Sequence, residues 1–235
     1  MGRTQMLKRL LDVVAGGFGL LLLSPLLAAV AALVKCSSAG PVFFRQERIG
    51  RGGRPFFILK FRSMVREAPE SGGPITFGDD PRVTRAGRWL RKTKIDELPQ
   101  LFNVLRGEMS LVGPRPEVRR YVEMFQEDYA EILRVRPGMT DLASLKYRDE
   151  AAILGQAADP EEEYVRRVLP EKIRLAREYV RRQSLLLDLT IICRTPISLL
   201  HGRVSTASRE TPRPANQQKT ASRDSTKVRR RGGMI

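Results

Sequence analysis

VVAGGFGLLLLSPLLAAVAALV, the stretch from Val13 to Val34, contains no charged side chain. As an α-helix it would be about 33 Å long, enough to cross a hydrocarbon layer of about 30 Å. Three readings compete for it. A cleaved signal peptide would use Ala29-Val30-Ala31 as its small-residue cleavage site, but the run is long for a signal core and dense positive charge follows it. A spanning helix must accommodate Ser24-Pro25 near its midpoint, where proline cannot donate to the carbonyl of Leu21 and its ring crowds that turn. It must also export a basic flank. Lys8 and Arg9 precede the run, while Lys35, Arg45, Arg48, Arg51, Arg54, Lys60 and Arg62 follow it, and basic residues mark the cytoplasmic side. The third reading is a re-entrant helix broken at Ser24-Pro25, which keeps both flanks on one side. The Ser24 hydroxyl could then bond a carbonyl freed at the bend, which lipid would leave unsatisfied. A kinked spanning helix stays open as the alternative; the two-sided charge favours re-entry.

The whole chain has 235 residues and a formal charge of +16, from 42 Lys+Arg against 26 Asp+Glu. Its partners are therefore anionic: nucleic acid, phosphorylated small molecules or an acidic membrane surface. Two cysteines, Cys36 and Cys193, exclude a disulfide scaffold and read as packing residues. One histidine, His201, argues against Ser-His-Asp, Cys-His and His-rich zinc chemistry and reads as a surface residue. An enzyme of this composition must work with carboxylates and cations. Residues 205–235 carry eight basic and two acidic side chains and almost no large apolar ones. Such a segment cannot bury enough surface to offset ordering its backbone, and is expected to be disordered. Its basic end could touch nucleic acid or anionic lipid, but it lacks the aromatic interleaving of a single-strand binder and reads as a solvated tail; no nucleic acid is expected.

Between these ends the patterning is mixed. Val42-Phe43-Phe44 and Phe56-Phe57-Ile58-Leu59 read as strands of a hairpin around Gly50-Arg51-Gly52-Gly53. Ala68 to Asp80 reads as a loop, and Asp80-Pro81 as the start of a short basic helix towards Lys92. A second helix is expected from Asp96 to Arg106, stopped by Gly107. A third is expected from Glu117 to Val135. Asp159-Pro160 starts another, which Pro170 interrupts. Ser184 to Leu200, with only Asp188 and Arg194 charged, is a core helix or one lying on a bilayer surface. The expected organisation is α+β: a re-entrant helix over residues 1–36, one helix-rich cytoplasmic domain with a β-hairpin and interfacial amphipathic helices over 37–204, and the tail.

Asp96-Glu97 follows the cations Arg82, Arg85, Arg88, Arg91, Lys92 and Lys94. The plain reading is a helix cap followed by a first-turn acid. The chemical reading uses the same position: adjacent carboxylates can share one Mg²⁺, which commonly bridges to substrate phosphates, and one of them can attack phosphorus. Arg115, held between Pro114 and Pro116, presents a guanidinium on a stiff stalk that suits phosphate, or is simply an exposed loop arginine. In Lys60-Phe61-Arg62 strand alternation puts both cations on one face, as a basic face or a solvated edge.

KRLLDVV (Lys8–Val14), LLSPL (Leu22–Leu26), GPVFFRQERIG (Gly40–Gly50), PFFILKFRSM (Pro55–Met64), DPRVTRAGRWLRKTKIDELPQLFNVLRGEMSLVGPRPE (Asp80–Glu117) and RPGMT (Arg136–Thr140) together resemble the monotopic phosphoglycosyl transferases, or bacterial sugar transferases. The resemblance covers roughly residues 6 to 200, and SLKYRDE (Ser144–Glu150) looks like the small single-domain members. It implies a re-entrant helix broken at Ser24-Pro25 and residence on the cytoplasmic face of the bacterial plasma membrane. It implies that Asp96 attacks the β-phosphate of a UDP-sugar, expels UMP and passes the phosphosugar to polyprenyl phosphate. Glu97, with Asp96, would hold Mg²⁺. Lys60, Arg62, Arg91 and Arg115 are the candidate phosphate contacts. The competing class is a basic membrane-tethered adaptor for nucleic acid or anionic lipid, which gives no reason for Asp-Glu to follow a cationic cluster.

Overall fold

The computed structural model describes residues 3–65, 76–78 and 80–200. The expected disordered tail and His201 lie outside these residues, as does most of the expected loop from Ala68 to Asp80. The described residues all belong to one compact unit.

Helix α1 (Arg3–Ser37) carries the apolar run and stays helical through Pro25. The expected break is therefore not a loss of helix. Pro25 deprives the Leu21 carbonyl of its backbone donor, and Ser24 Oγ donates to that oxygen instead, at 2.8 Å. The helix is long and apolar enough to cross a membrane, and Phe18, Leu21 and Leu22 in its middle are exposed.

The hairpin follows. β1 (Phe43–Ile49) pairs antiparallel with β2 (Pro55–Phe61) from Phe43↔Phe61 to Ile49↔Pro55. The turn between them includes Gly52 and Gly53 at positive φ, as its sequence predicts. The basic helix α2 is Arg85–Thr93, five residues later than the expected start at Asp80. Thr84 is its N-cap, with Oγ1 accepting the Gly87 N–H at 2.9 Å. Asp80 instead accepts from the backbone and guanidinium of Arg82. At Gly87 the helix lies against the chain at Ser63: a Cβ there would fall 1.9 Å from the Ser63 carbonyl oxygen.

A 3₁₀ turn at Ile95–Glu97 leads through Leu98-Pro99 into α3 (Gln100–Arg106), so the expected helix 96–106 begins with a tighter turn. Gly107 ends it at φ 82°. β3 (Ser110–Val112) pairs parallel with β4 (Gly138–Thr140), a pairing that no hydrophobic period announces. Beside this pair Gly113 and Gly138 touch backbone to backbone: a Cβ on Gly138 would sit 2.1 Å from the Gly113 nitrogen.

The expected single helix from Glu117 to Val135 is two, α4 (Arg119–Met124) and α5 (Gln126–Ile132), because Phe125 leaves helical geometry at φ −121°, ψ 43°. Short helices α6 (Leu142–Lys146), α7 (Glu150–Leu154) and α8 (Pro160–Glu163) follow. Asp159 caps α8 as its sequence suggests. A π turn at Tyr164–Val168 joins α8 to α9 (Leu169–Arg182), so Pro170 does not end the helical run. Last is α10 (Leu185–Leu200), where Ile191 is buried but Leu186, Leu189, Ile192 and Ile197 are exposed. Cys36 and Cys193 are both free and exposed, which corrects their reading as packing residues.

The largest core gathers Tyr121, Tyr129, Ile132, Leu154, Tyr164, Val168, Leu169 and Ile173 from α4, α5, α7, the π turn and α9. A second cluster joins Val30 and Val34 of α1 to Phe61 and Leu90. The other end of α1 is fastened by polar groups. Lys8 Nζ donates to the Asp188 carboxylate at 2.6 Å and to the Val112 carbonyl at 2.9 Å. Arg9 donates to the carbonyls of Val104 and Leu105 at the C-terminal end of α3. Buried Asp12 accepts from Ser110 Oγ and the Leu111 N–H, both at 3.0 Å. Both halves of the long helix thus attach to the same domain.

Candidate active site

Asp96 and Glu97 stand on the 3₁₀ turn directly after Lys94, whose φ of 59° is the one positive value outside glycine among the described residues. A lysine in the left-handed region is strained by about 1–2 kcal/mol, and strain of this kind clusters where geometry is constrained by function. Its consequence is a sharp change of direction that carries the two carboxylates off the end of α2. Neither acid caps a helix through its side chain, so Asp96 is not the expected cap, although Glu97 is an acid of the 3₁₀ first turn.

The two carboxylates have opposite surroundings. Glu97 Oε1 accepts from Lys60 Nζ at 3.0 Å, and Oε2 from Arg115 Nη1 at 3.0 Å; Arg115 Nη2 also donates to Oε1. Burial disfavours charge on Glu97, but the Arg115 guanidinium and the Lys60 ammonium outweigh it and hold the carboxyl well below the usual range. Asp96 is buried, and its Oδ1 has no hydrogen-bond partner. Burial first, then the adjacent Glu97 charge, pushes its carboxyl up despite Lys60 and Arg91 nearby. The turn therefore presents one saturated carboxylate and one carboxylate with a bare oxygen.

Three of the expected cations converge here. Lys60 reaches Glu97 from β2, whose place against α3 is fixed by Asn103: the Leu59 N–H donates to its Oδ1 at 3.0 Å, and its Nδ2 donates to the Phe57 carbonyl at 2.8 Å. Burial lowers the Lys60 ammonium from its ordinary value, against the pull of Glu97. Arg115 is held at its backbone as well, its N–H donating to Asp141 at 3.1 Å. Arg91 lies near Asp96 and donates to the hydroxyls of Ser63 (3.0 Å) and Thr76 (3.2 Å). Burial lowers it too, while Asp96 and Asp80 act in the opposite sense.

Arg62 does not join them. Its buried guanidinium donates to the carbonyls of Val34 (3.1 Å), Ser38 (2.6 Å) and Pro41, closing the C-terminal end of α1. Arg62 lies one residue past the end of β2, and its guanidinium is taken by the carbonyls at the end of α1 and not by the acid pair. Among the described residues, no group of three or more acidic, histidine or cysteine side chains could hold a metal. Mg²⁺ commonly needs only one or two carboxylates when phosphates complete its shell. Asp96 Oδ1 is buried and unpartnered and could serve such an ion, while Glu97 beside it is bonded to two cations.

Glu117 is a site residue that the sequence reading passed over. It accepts from Arg48 (3.2 Å), Tyr164 (2.7 Å) and Lys172 (3.4 Å), while its carbonyl accepts the Ile49 N–H. This clamps the segment two residues beyond Arg115 to β1 and α9. Its position directly after Pro114-Arg115-Pro116 is the only signal in the sequence.

Residues 3–202 match the bacterial sugar transferase family. The chain is 41% identical over 201 residues to the UDP-N-acetylgalactosamine-undecaprenyl-phosphate N-acetylgalactosaminephosphotransferase of Aeromonas hydrophila, covering 83% of this chain and 44% of that protein. It is 44% identical over 197 residues to the UDP-glucose:undecaprenyl-phosphate glucose-1-phosphate transferase of Caulobacter vibrioides, covering 82% and 69%. With the like-named protein of Xanthomonas campestris it shares 40% over 199 residues, covering 82% and 38%. The chain thus spans less than half the length of two of these three relatives. Across nearly its whole described length, acid pair and converging cations included, the chain belongs to the bacterial sugar transferase family.

Proposed function

We propose that the chain is a phosphoglycosyl transferase, moving a sugar-1-phosphate from a UDP-sugar to polyprenyl (undecaprenyl) phosphate and so starting a lipid-linked glycan. The observation that carries this is the unpartnered Asp96 Oδ1 beside a Glu97 neutralised by Lys60 and Arg115; the relatives' names supply the substrate class. In the first half-reaction an Asp96 oxygen bonds to the β-phosphorus as the bond to the bridging oxygen breaks, and UMP leaves with that oxygen. In the second, an oxygen of polyprenyl phosphate bonds to the same phosphorus, the aspartyl bond breaks and the carboxylate is restored.

Lys60, Arg91 and Arg115 offset charge on the phosphates throughout. Asp96 would hold Mg²⁺, which would supply further neutralisation of the phosphate charge. The lipid phosphate stays at headgroup depth, so the acid pair must work there. A re-entrant α1 entering and leaving the cytoplasmic leaflet meets that need. It is supported by the attachment of both flanks of the apolar run to one domain and by the Ser24 bond to the Leu21 carbonyl. Exposed apolar residues of α10, with Trp89 on α2 and Phe102 on α3, suit the same interface.

The test is direct. Purified chain with polyprenyl phosphate, Mg²⁺ and a panel of UDP-sugars should release UMP, and with donor alone should gain the mass of one phosphosugar on the Asp96 peptide. UMP release without that adduct under trapping conditions would overturn the covalent route.

A further inference from the structure

Gln100 opens α3, three residues after Glu97 and four after Asp96, so it lies one turn along from the acid pair. Its side chain is wholly buried, and neither amide atom, Oε1 or Nε2, has a hydrogen-bond partner. A buried carboxamide without partners typically costs a protein about 1–3 kcal/mol, and native interiors rarely leave one so. The contrast with Asn103, one turn further on, is direct: that amide is equally buried, and its oxygen and nitrogen are both bonded, to Leu59, Phe57 and Glu108. Two unsatisfied buried groups, Asp96 Oδ1 and the Gln100 amide, therefore occupy neighbouring turns.

We propose that Gln100 is a specificity-determining residue that meets the sugar of the donor; this rests on the transferase reading above. The chemistry selects the sugar among the parts of a nucleoside diphosphate sugar. An amide offers one donor side and one acceptor side. Phosphate oxygens only accept, so a phosphate would satisfy the amide nitrogen and leave the amide oxygen unpaired. The nucleobase lies beyond the α-phosphate, away from the reacting phosphorus. The hexose is attached to the β-phosphate itself, and its substituent at C2 is the closest group able both to donate and to accept, whether it is a hydroxyl or an acetamido group. Gln100 bonds that substituent and holds the anomeric phosphate towards Asp96.

Gln100→Met keeps the length of the side chain and removes both polar atoms. It should leave the melting temperature unchanged or raise it, because it deletes an unsatisfied buried group. It should also lower kcat/KM for the donor about ten- to a hundredfold, with KM for polyprenyl phosphate unchanged. Whichever of UDP-glucose and UDP-N-acetylgalactosamine turns over is then compared with its 2-deoxy analogue. The wild-type chain should discriminate against the analogue about tenfold or more, and the variant should have lost most of that discrimination. Equal discrimination by both proteins, or an unaltered kcat/KM for the variant, would overturn the assignment and leave Gln100 a packing residue or the partner of a buried water. A variant too unstable to assay is replaced by Gln100→Glu, which keeps the acceptor and loses the donor at neutral pH. It should show the same loss of discrimination, and retained discrimination overturns the assignment equally. A wild-type chain that releases no UMP from any donor fails at the earlier step and overturns the transferase reading itself.

Discussion

Replacing Arg115 with methionine removes two charge-assisted hydrogen bonds from Glu97 while Lys60 remains at 3.0 Å. A hydrogen bond to a charged group contributes about 1.5–3 kcal/mol net. The Arg115 side chain is 26% exposed and that of Glu97 15%, so water partly replaces what is lost and the cost is about 2 kcal/mol. For a domain of this size that lowers Tm by about 4–8 °C. The loss depends on pH in a definite direction. In the wild-type chain burial works against charge on Glu97, but Arg115 and Lys60 hold its carboxyl well below the usual range. The stabilisation is therefore present above the unfolded carboxyl's value and is lost as pH falls through the folded one. Without Arg115 the folded carboxyl rises. The Tm gap between the two proteins should be widest near pH 7 and should narrow as pH falls through the carboxylate range. Thermal unfolding in detergent from pH 7 to below pH 3 reads this, with Arg115→Lys, which keeps the charge but not the fork, falling between them. A variant as stable as the wild type at pH 7, or a gap indifferent to pH, would refute the pairing as the energetic link.

Asp96→Asn should reduce UMP release by about a thousandfold or more and raise Tm at pH 7 by a few degrees. Burial and the Glu97 charge push the Asp96 carboxyl up, so its ionisation destabilises the fold as pH rises through that value; a lower Tm for the variant would contradict this. For the same reason kcat/KM of the wild type should fall as pH drops through the raised Asp96 value, above the ordinary aspartate range, and a flat profile down to pH 4 would count against an ionised Asp96. Arg62→Met should lower Tm by several degrees, since it strips donors from the carbonyls of Val34, Ser38 and Pro41, yet leave donor KM within about twofold; a large KM change at constant Tm would return Arg62 to the phosphate site. A membrane-impermeant maleimide applied from the cytoplasmic side of inverted vesicles should label both exposed Cys36 and a cysteine introduced at Gly2, in a Cys193→Ser background. Opposite sidedness of the two labels would establish a spanning helix.

The sequence revealed most where one residue type dictates one geometry. The uncharged run, the Gly-rich hairpin turn, Gly107 at the end of α3 and Asp159 at the head of α8 were all readable, because chain length, positive φ and capping are local properties. The same holds for the acid pair and for Arg115 on its proline-flanked stalk. What escaped was tertiary. The three-residue strands β3 and β4 are too short to show a period, and the close approach of Gly113 to Gly138 that accompanies them is visible only in three dimensions. Lys8 and Arg9 read as a charged flank, but spend their charge on the domain. Arg62 looked equivalent to Lys60 because alternation does not say which acceptors a long side chain will reach, and those of Arg62 are carbonyls at the end of α1. The helix from Glu117 was read through Phe125, whose apolar spacing is kept although its backbone leaves the helix.

The amide of Asn103 has a consequence beyond setting the position of Lys60. A hairpin of only two strands would ordinarily offer its outer backbone to any extended segment that drifted alongside, and proteins confined to a membrane surface meet one another often. By occupying the Leu59 N–H and the Phe57 carbonyl, a single side chain does the work of a third strand on that flank, and the Glu117 carbonyl takes the Ile49 N–H on the other. Those positions on the rim of the sheet are thereby closed to strand recruitment by a neighbouring copy.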